Sequence, residues 1–151
     1  MAFAIELALD AESAAPVRAL WRRLAEAGIR FMAESGADPH VSLVIWDGLD
    51  VERAAAEVVY LALAPSPRLA ELQARVDARF APLGRARWPH YAPEAWIPHC
   101  TLAMDFGSVT AATALAVAGS LTLPLAGRLE RMAIVEFRPV RERFSRPLTS
   151  G

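Results

Sequence analysis

Apolar and polar positions follow two periods along the chain, and their succession predicts strands and helices in turn. Phe3, Ile5, Leu7 and Leu9 alternate with Ala4, Glu6 and Ala8, a period of two that describes a half-buried strand with one small-sided face. Val17, Leu20, Trp21 and Leu24 then recur at helical spacing behind Asp10 or Ser13 as N-cap, so a helix is expected through about Ala27 with Gly28 as its stop. A strand is expected from His40 to Trp46, a second helix from Asp50, and a strand from Val58 to Leu63. Pro67 to Phe80 reads as an amphipathic helix with Leu69, Leu72, Val76 and Phe80 on one side. Four prolines between Pro82 and Pro98, with Gly84, Trp88, Tyr91 and Trp96, mark a long connection of the kind that carries function. Beyond it come a strand from His99, an Ala-rich helix from about Val109, and strands at Leu121 to Leu125 and Met132 to Phe137.

Laying Pro39 over Pro98 exposes an internal repeat. Pro39-His40-Val41-Ser42-Leu43 matches Pro98-His99-Cys100-Thr101-Leu102, Gly48 falls on Gly107, and an Ala-rich helix follows in each copy. The offset is constant, since 99 − 40 and 107 − 48 both give 59. A strand-turn-helix unit that presents the same His-x-hydroxyl pair twice predicts two lobes about a pseudo-twofold axis, with the histidines facing each other.

Composition limits what those lobes can do. The 151 residues suit one globular unit, and 54% apolar with 22% charged residues exclude disorder. No run of about 18 apolar residues occurs, so no membrane span is expected. The first ten residues lack a basic segment ahead of their apolar stretch, which Glu6 interrupts, and with the lone Cys100 this fits a cytoplasmic protein. All 16 basic residues are Arg and Asn is absent, a composition typical of GC-rich bacterial genomes. The net charge of −1 argues against general nucleic-acid binding, so any anionic ligand is held locally.

Strand geometry gives the repeat its chemistry. Residues i and i+2 share a face, so His40 with Ser42, and His99 with Thr101, each set an imidazole beside a hydroxyl, while Val41 and Cys100 turn into packing. Opposed imidazoles can take a proton from an attacking oxygen and give one to a leaving oxygen in a single displacement. The hydroxyls can donate to non-bridging phosphate oxygens as charge builds there. The scheme requires no metal and no cofactor.

The paired motifs, Pro39-His40-Val41-Ser42-Leu43 and Trp96-Ile97-Pro98-His99-Cys100-Thr101-Leu102, resemble those of the two-histidine phosphoesterase superfamily, in particular its bacterial 2′-5′ RNA ligase (LigT-like) branch. The resemblance extends to Ala4-Ile5-Glu6-Leu7 and to Val59-Tyr60-Leu61-Ala62-Leu63-Ala64-Pro65. It implies an α+β fold, a single domain over residues 1–151 built as two pseudo-symmetric lobes of antiparallel sheet, helices outside and a central cleft. The helix near Ala54 runs almost directly into Val58, where such proteins carry a further strand and hairpin, so the first lobe is expected to lack a strand. The implied activity is a 2′,3′-cyclic phosphodiesterase or 2′-5′ RNA ligase, with His40 and His99 catalytic and Ser42 and Thr101 on the phosphate. RNA ends or cyclic nucleotides are the expected substrates, with no membrane and no obligate protein partner. The alternative is a binding module of the same ancestry that holds such ligands without turnover.

Other polar and aromatic residues carry less. Tyr91 and Trp96, with Trp88, are candidates to stack on a base, though loop packing explains them equally well. His90 lacks the i+2 hydroxyl, because Ala92 stands there, and reads as a loop histidine. A zinc site from His90, His99 and Cys100 is disfavoured because adjacent strand residues face opposite ways. Arg138, Arg141, Arg143 and Arg146 interleave with Glu136 and Glu142 and read as a solvated tail. Glu6 and Glu136 occupy late strand positions beside apolar neighbours, where an acid orienting a histidine is one role.

Overall fold

Asp10 turns the chain from its first strand into its first helix by accepting a hydrogen bond from the Ser13 amide at 2.9 Å. That helix, α1 (Ala11–Glu26), ends where Gly28 takes φ +96°. The Ile29 amide then reaches the Leu24 carbonyl at 2.8 Å and the Gly28 amide the Ala25 carbonyl at 3.0 Å, the paired bonds of a Schellman stop. The computed structural model describes residues 2–46, 57–83, 87–137 and 139–149, and the helix expected from Asp50 lies outside them.

The described elements form a mixed α+β fold. In chain order they are β1 (Ala2–Leu9), α1, the single-turn helix α2 (Phe31–Glu34), β2 (His40–Trp46), β3 (Val59–Ala62), α3 (Pro67–Phe80), β4 (His99–Ala103), α4 (Ala111–Ala118), β5 (Leu129–Phe137) and β6 (Arg141–Pro147). Short 3₁₀ turns at Ala81–Leu83 and Pro89–Tyr91 punctuate the long connection. One antiparallel sheet has the order β2-β1-β5-β6, and a second pairs β3 with β4. Among the described residues the sheets are unequal, four strands against two, but the expectation of a first lobe short of a strand is corrected: the sheet that carries His40 has four strands, and the two-stranded one carries His99.

Each sheet is covered on its outer face. Leu69 and Val76 of α3 pack on Ile5, Leu7, Leu43 and Val44 of the larger sheet. Val17, Leu20, Trp21 and Leu24 of α1, with Ala114 of α4, pack on Val59, Cys100 and Leu102 of the smaller one. A strand of the larger sheet is therefore followed directly by a helix that covers the smaller.

Two sequence expectations are corrected. Leu121 to Leu125 forms bends rather than a strand: Pro124 has no amide hydrogen for a ladder, and Leu121 and Leu125 instead pack against the α1 core. The arginine-rich segment is not a solvated tail, because Arg141–Pro147 pairs with β5 as the outer strand β6. No apolar alternation announced it, since most of its side chains are exposed and charged, as suits a sheet edge. Arg143 pairs there with Glu136 and Arg131 with Glu142.

Candidate active site

The two His-x-hydroxyl strands bulge at the same place. On β2, Glu6 faces Ser42 and Ile5 faces Val44, which leaves Leu43 as an extra residue. On β4, Tyr60 faces Thr101 and Val59 faces Ala103, which leaves Leu102 extra. Leu43 and Leu102 are equivalent in the repeat, so it extends from sequence to backbone irregularity. The bulge also alters side-chain parity. His40 and Ser42 face the cleft, Leu43 and Val44 both pack under α3, and Ile45 returns to the cleft side with Ala4, Tyr91 and Val135.

A bulge leaves ladder carbonyls to be satisfied by side chains, and here both copies use tryptophan. The Trp96 indole N–H donates to the Ser42 carbonyl at 3.0 Å, and the Trp21 indole N–H to the Thr101 carbonyl at 3.2 Å. Buried Gln73 of α3 adds amide bonds to the carbonyls of Leu43 at 3.1 Å and Tyr91 at 2.9 Å. These are residues that sequence reasoning missed or read otherwise, since a buried glutamine on an amphipathic helix looks like any polar position. Trp96, a candidate for base stacking, is partly buried and spends its polar atom on the β2 backbone.

Both histidines are oriented alike. His40 Nδ1 lies 2.6 Å from the Asp38 carbonyl and His99 Nδ1 lies 2.7 Å from the Ile97 carbonyl, two residues upstream in each copy. A carbonyl only accepts, so Nδ1 carries the hydrogen in both rings and Nε2 is left for chemistry. His40, Ser42, His99 and Thr101 line one cleft of about 690 Å³, while Val41 and Cys100 are buried behind the strands. Tyr91 and Trp88 form part of the same wall with Phe137 and Val135, and exposed His90 stands at it too.

The surroundings of the two imidazoles differ. Glu6 Oε2, on the strand beside His40, lies 3.4 Å from His40 Nε2, whereas the position across from Thr101 is Tyr60, whose ring centroid lies 4.9 Å from that of His99. Glu6 is 5% exposed, and burial pushes its carboxyl above the usual carboxylate range against the opposing pull of His40 and Arg131. Among the described residues no three His, Cys, Asp or Glu side chains converge as a metal site. No helix among them is long and apolar enough to cross a membrane.

Behind the cleft two groups hold their protons tightly. Burial pushes the Cys100 thiol up to about 11, opposed by the His40 amide, and the Tyr91 phenol up to about 12, opposed by its hydrogen bond with Ser42. Because the folded values exceed the ordinary 9.0 and 10.0, the stability these groups contribute is complete below those values and is lost as pH rises through about 11 and 12. Urea midpoints should therefore fall between pH 8.5 and 11, and native Cys100 should resist alkylation (about these pH values, where thiolate would otherwise form). A midpoint that climbs over that range, or a thiol that reacts as fast as a free one, would contradict this account.

No curated protein sequence matches the chain. The family model described as the 2′-5′ RNA ligase superfamily matches residues 10–140, which include both histidine strands, the connection between them and the helices that cover both sheets. The chain belongs to the 2′-5′ RNA ligase superfamily.

Proposed function

We propose that the protein is a phosphoesterase of 2′,3′-cyclic phosphates, able in reverse to form 2′-5′ RNA linkages, with His40 and His99 as an acid-base pair. One observation carries the reading: two imidazoles, each with Nδ1 bonded to a carbonyl and Nε2 unused by the backbone, share a cleft with the hydroxyls of Ser42 and Thr101. In hydrolysis one Nε2 takes a proton from water as its oxygen attacks phosphorus. The ribose P–O bond breaks, and the other imidazolium gives its proton to the departing oxygen. With an RNA 5′-hydroxyl in place of water the same transfers make a new phosphodiester. Ser42 and Thr101 donate to the non-bridging oxygens, and the apolar wall of Val135, Phe137 and Tyr91 suits the faces of a base.

The test is incubation of the full chain with nucleoside 2′,3′-cyclic phosphates and 2′-5′-linked oligoribonucleotides, with phosphate position read by ³¹P nuclear magnetic resonance. Turnover to 2′-phosphates is expected, and it should persist in excess chelator because the proton transfers need only the two histidines. Activity abolished by chelation and restored by one divalent ion would overturn the mechanism. Tight binding of every ligand with no turnover would favour the non-catalytic module.

A further inference from the structure

We propose that Glu6 is a positioning residue that holds the proton on His40 Nε2, making His40 the general acid and leaving His99 as the general base. The proposal rests on the phosphoesterase reading above and divides the labour between two otherwise matching groups. His40 and His99 share their strand, their bulge and their Nδ1 bond, so anything that separates their roles lies in the neighbouring side chains.

Those neighbours differ in charge at both equivalent positions. Beside the imidazoles stand Glu6 against His40 and Tyr60 against His99. At the carbonyl that anchors Nδ1 stand Asp38 and Ile97. His40 Nδ1 already carries a hydrogen, so a second one on Nε2, which lies 3.4 Å from Glu6 Oε2 without a hydrogen bond to it, makes an imidazolium beside a buried carboxylate and stays available to the cleft.

The groups around this pair come from several elements. Asp38, before β2, is held by Arg18 of α1 and Arg131 of β5, and Arg131 also pairs with Glu142 of β6. Tyr91 faces Glu6 from the 3₁₀ turn, and the Cys100 thiol of β4 meets the His40 amide, both neutral below about pH 9 by their shifts. Glu6, Asp38 and Glu142 thus face Arg18 and Arg131, so the acids around His40 outnumber the arginines by one. Among the described residues no such acid stands against His99, whose Tyr60 ring is tilted by 51° and 42% exposed, a weaker attraction for a cation than a buried carboxylate.

In the reaction, His99 Nε2 takes the water proton while the oxygen bonds to phosphorus. His40 Nε2–H then passes its proton to the ribose oxygen as that P–O bond breaks. Both rings return to their starting states by exchange with solvent.

A leaving group that departs without a proton separates acid from base. The full chain and its Glu6→Gln, His40→Ala and His99→Ala variants are assayed on a nucleoside 2′,3′-cyclic phosphate, which expels an alkoxide, and on bis(4-nitrophenyl) phosphate, which expels a stable phenolate. Glu6→Gln should lower cyclic-phosphate turnover about tenfold, the effect of losing an outer partner, and His40→Ala should lower it further, both sparing the aryl ester. His99→Ala should lose both. In Glu6→Gln the alkaline limb of the cyclic-phosphate pH profile should move to lower pH with the acid limb fixed, and Glu6→Asp should recover part of the difference. A merely structural Glu6 would depress both substrates alike and leave both limbs in place, and that result would overturn the proposal even with a weakly folding variant. Sparing of the aryl ester by His99→Ala instead of His40→Ala would reverse the assignment, and indifference of both substrates to both histidines would sink the phosphoesterase reading itself.

Discussion

Replacing His40 or His99 by Ala should slow turnover of a nucleoside 2′,3′-cyclic phosphate by about 10²–10⁴ while leaving the fold and most of the ligand affinity in place. Each ring is half-buried at a strand terminus and makes one side-chain hydrogen bond, to a backbone carbonyl, so the structural cost is that bond and, for His40, also its contact with buried Glu6. The chemical cost is large because both transfers occur in one displacement, and neither Ser42 nor Thr101 can replace an imidazole near neutral pH. The same requirement makes the rate bell-shaped in pH, since one ring must be neutral while the other is charged. Ser42→Ala and Thr101→Ala each remove only a hydrogen bond to phosphate and should cost less than either histidine. Circular dichroism, a binding isotherm and initial rates on the same preparations decide the matter. Near-full rates in both histidine variants would leave the paired-imidazole mechanism without support.

Gln73→Leu should destabilise the protein by about 2–5 kcal/mol, because the cost of each buried carbonyl left without a donor is added for two of them. Leucine fills nearly the same space, so cavity formation contributes little and the loss reports the hydrogen bonds. The carbonyls concerned belong to Leu43, the extra residue of the β2 bulge, and to Tyr91 in the cleft wall. The variant should therefore unfold at lower urea and also bind a cyclic nucleotide more weakly, since both walls lose a fixed point. A midpoint within about 0.5 kcal/mol of the parent, the range of ordinary surface changes, would show that water or a shifted backbone replaces the amide.

The site was legible in the sequence because its signal is redundant. His40 and His99 each meet their hydroxyl at i+2 and their proline at i−1, and strand parity then requires a common face and buried Val41 and Cys100. Boundaries of β2 and α3 were also readable, one from a run of apolar residues and the other from Pro67 at its first turn and the apolar stripe that ends at Phe80. Legibility failed where structure is set by distant partners. The β6 strand is held by its ladder with β5 and by the Arg131–Glu142 and Arg143–Glu136 pairs, none of which leaves a periodic trace. Leu121 to Leu125 looked like a strand because its leucines alternate, yet the same leucines serve an irregular segment equally well. Glu6 could be singled out as an acid on an apolar strand, but which histidine it meets depends on β1 pairing with β2 rather than with β4.

That central position of β1 governs the order in which the molecule can assemble. Its long partner β5 lies more than a hundred residues later, and every residue of β1 from Ala2 to Leu9 is registered against it. Until β5 emerges, β1 has only β2 on one side, and α1 has left for the other sheet. The His40 strand can pair with β1 and the His99 strand with β3 before that, but the wall that carries Glu6 is closed on both sides only when β5 joins. High sequence separation of this kind slows folding, because chain closure is charged before the contacts reward it. During synthesis β1 thus waits with one open edge, and the acid beside His40 is fixed in its sheet only once β5 has been made.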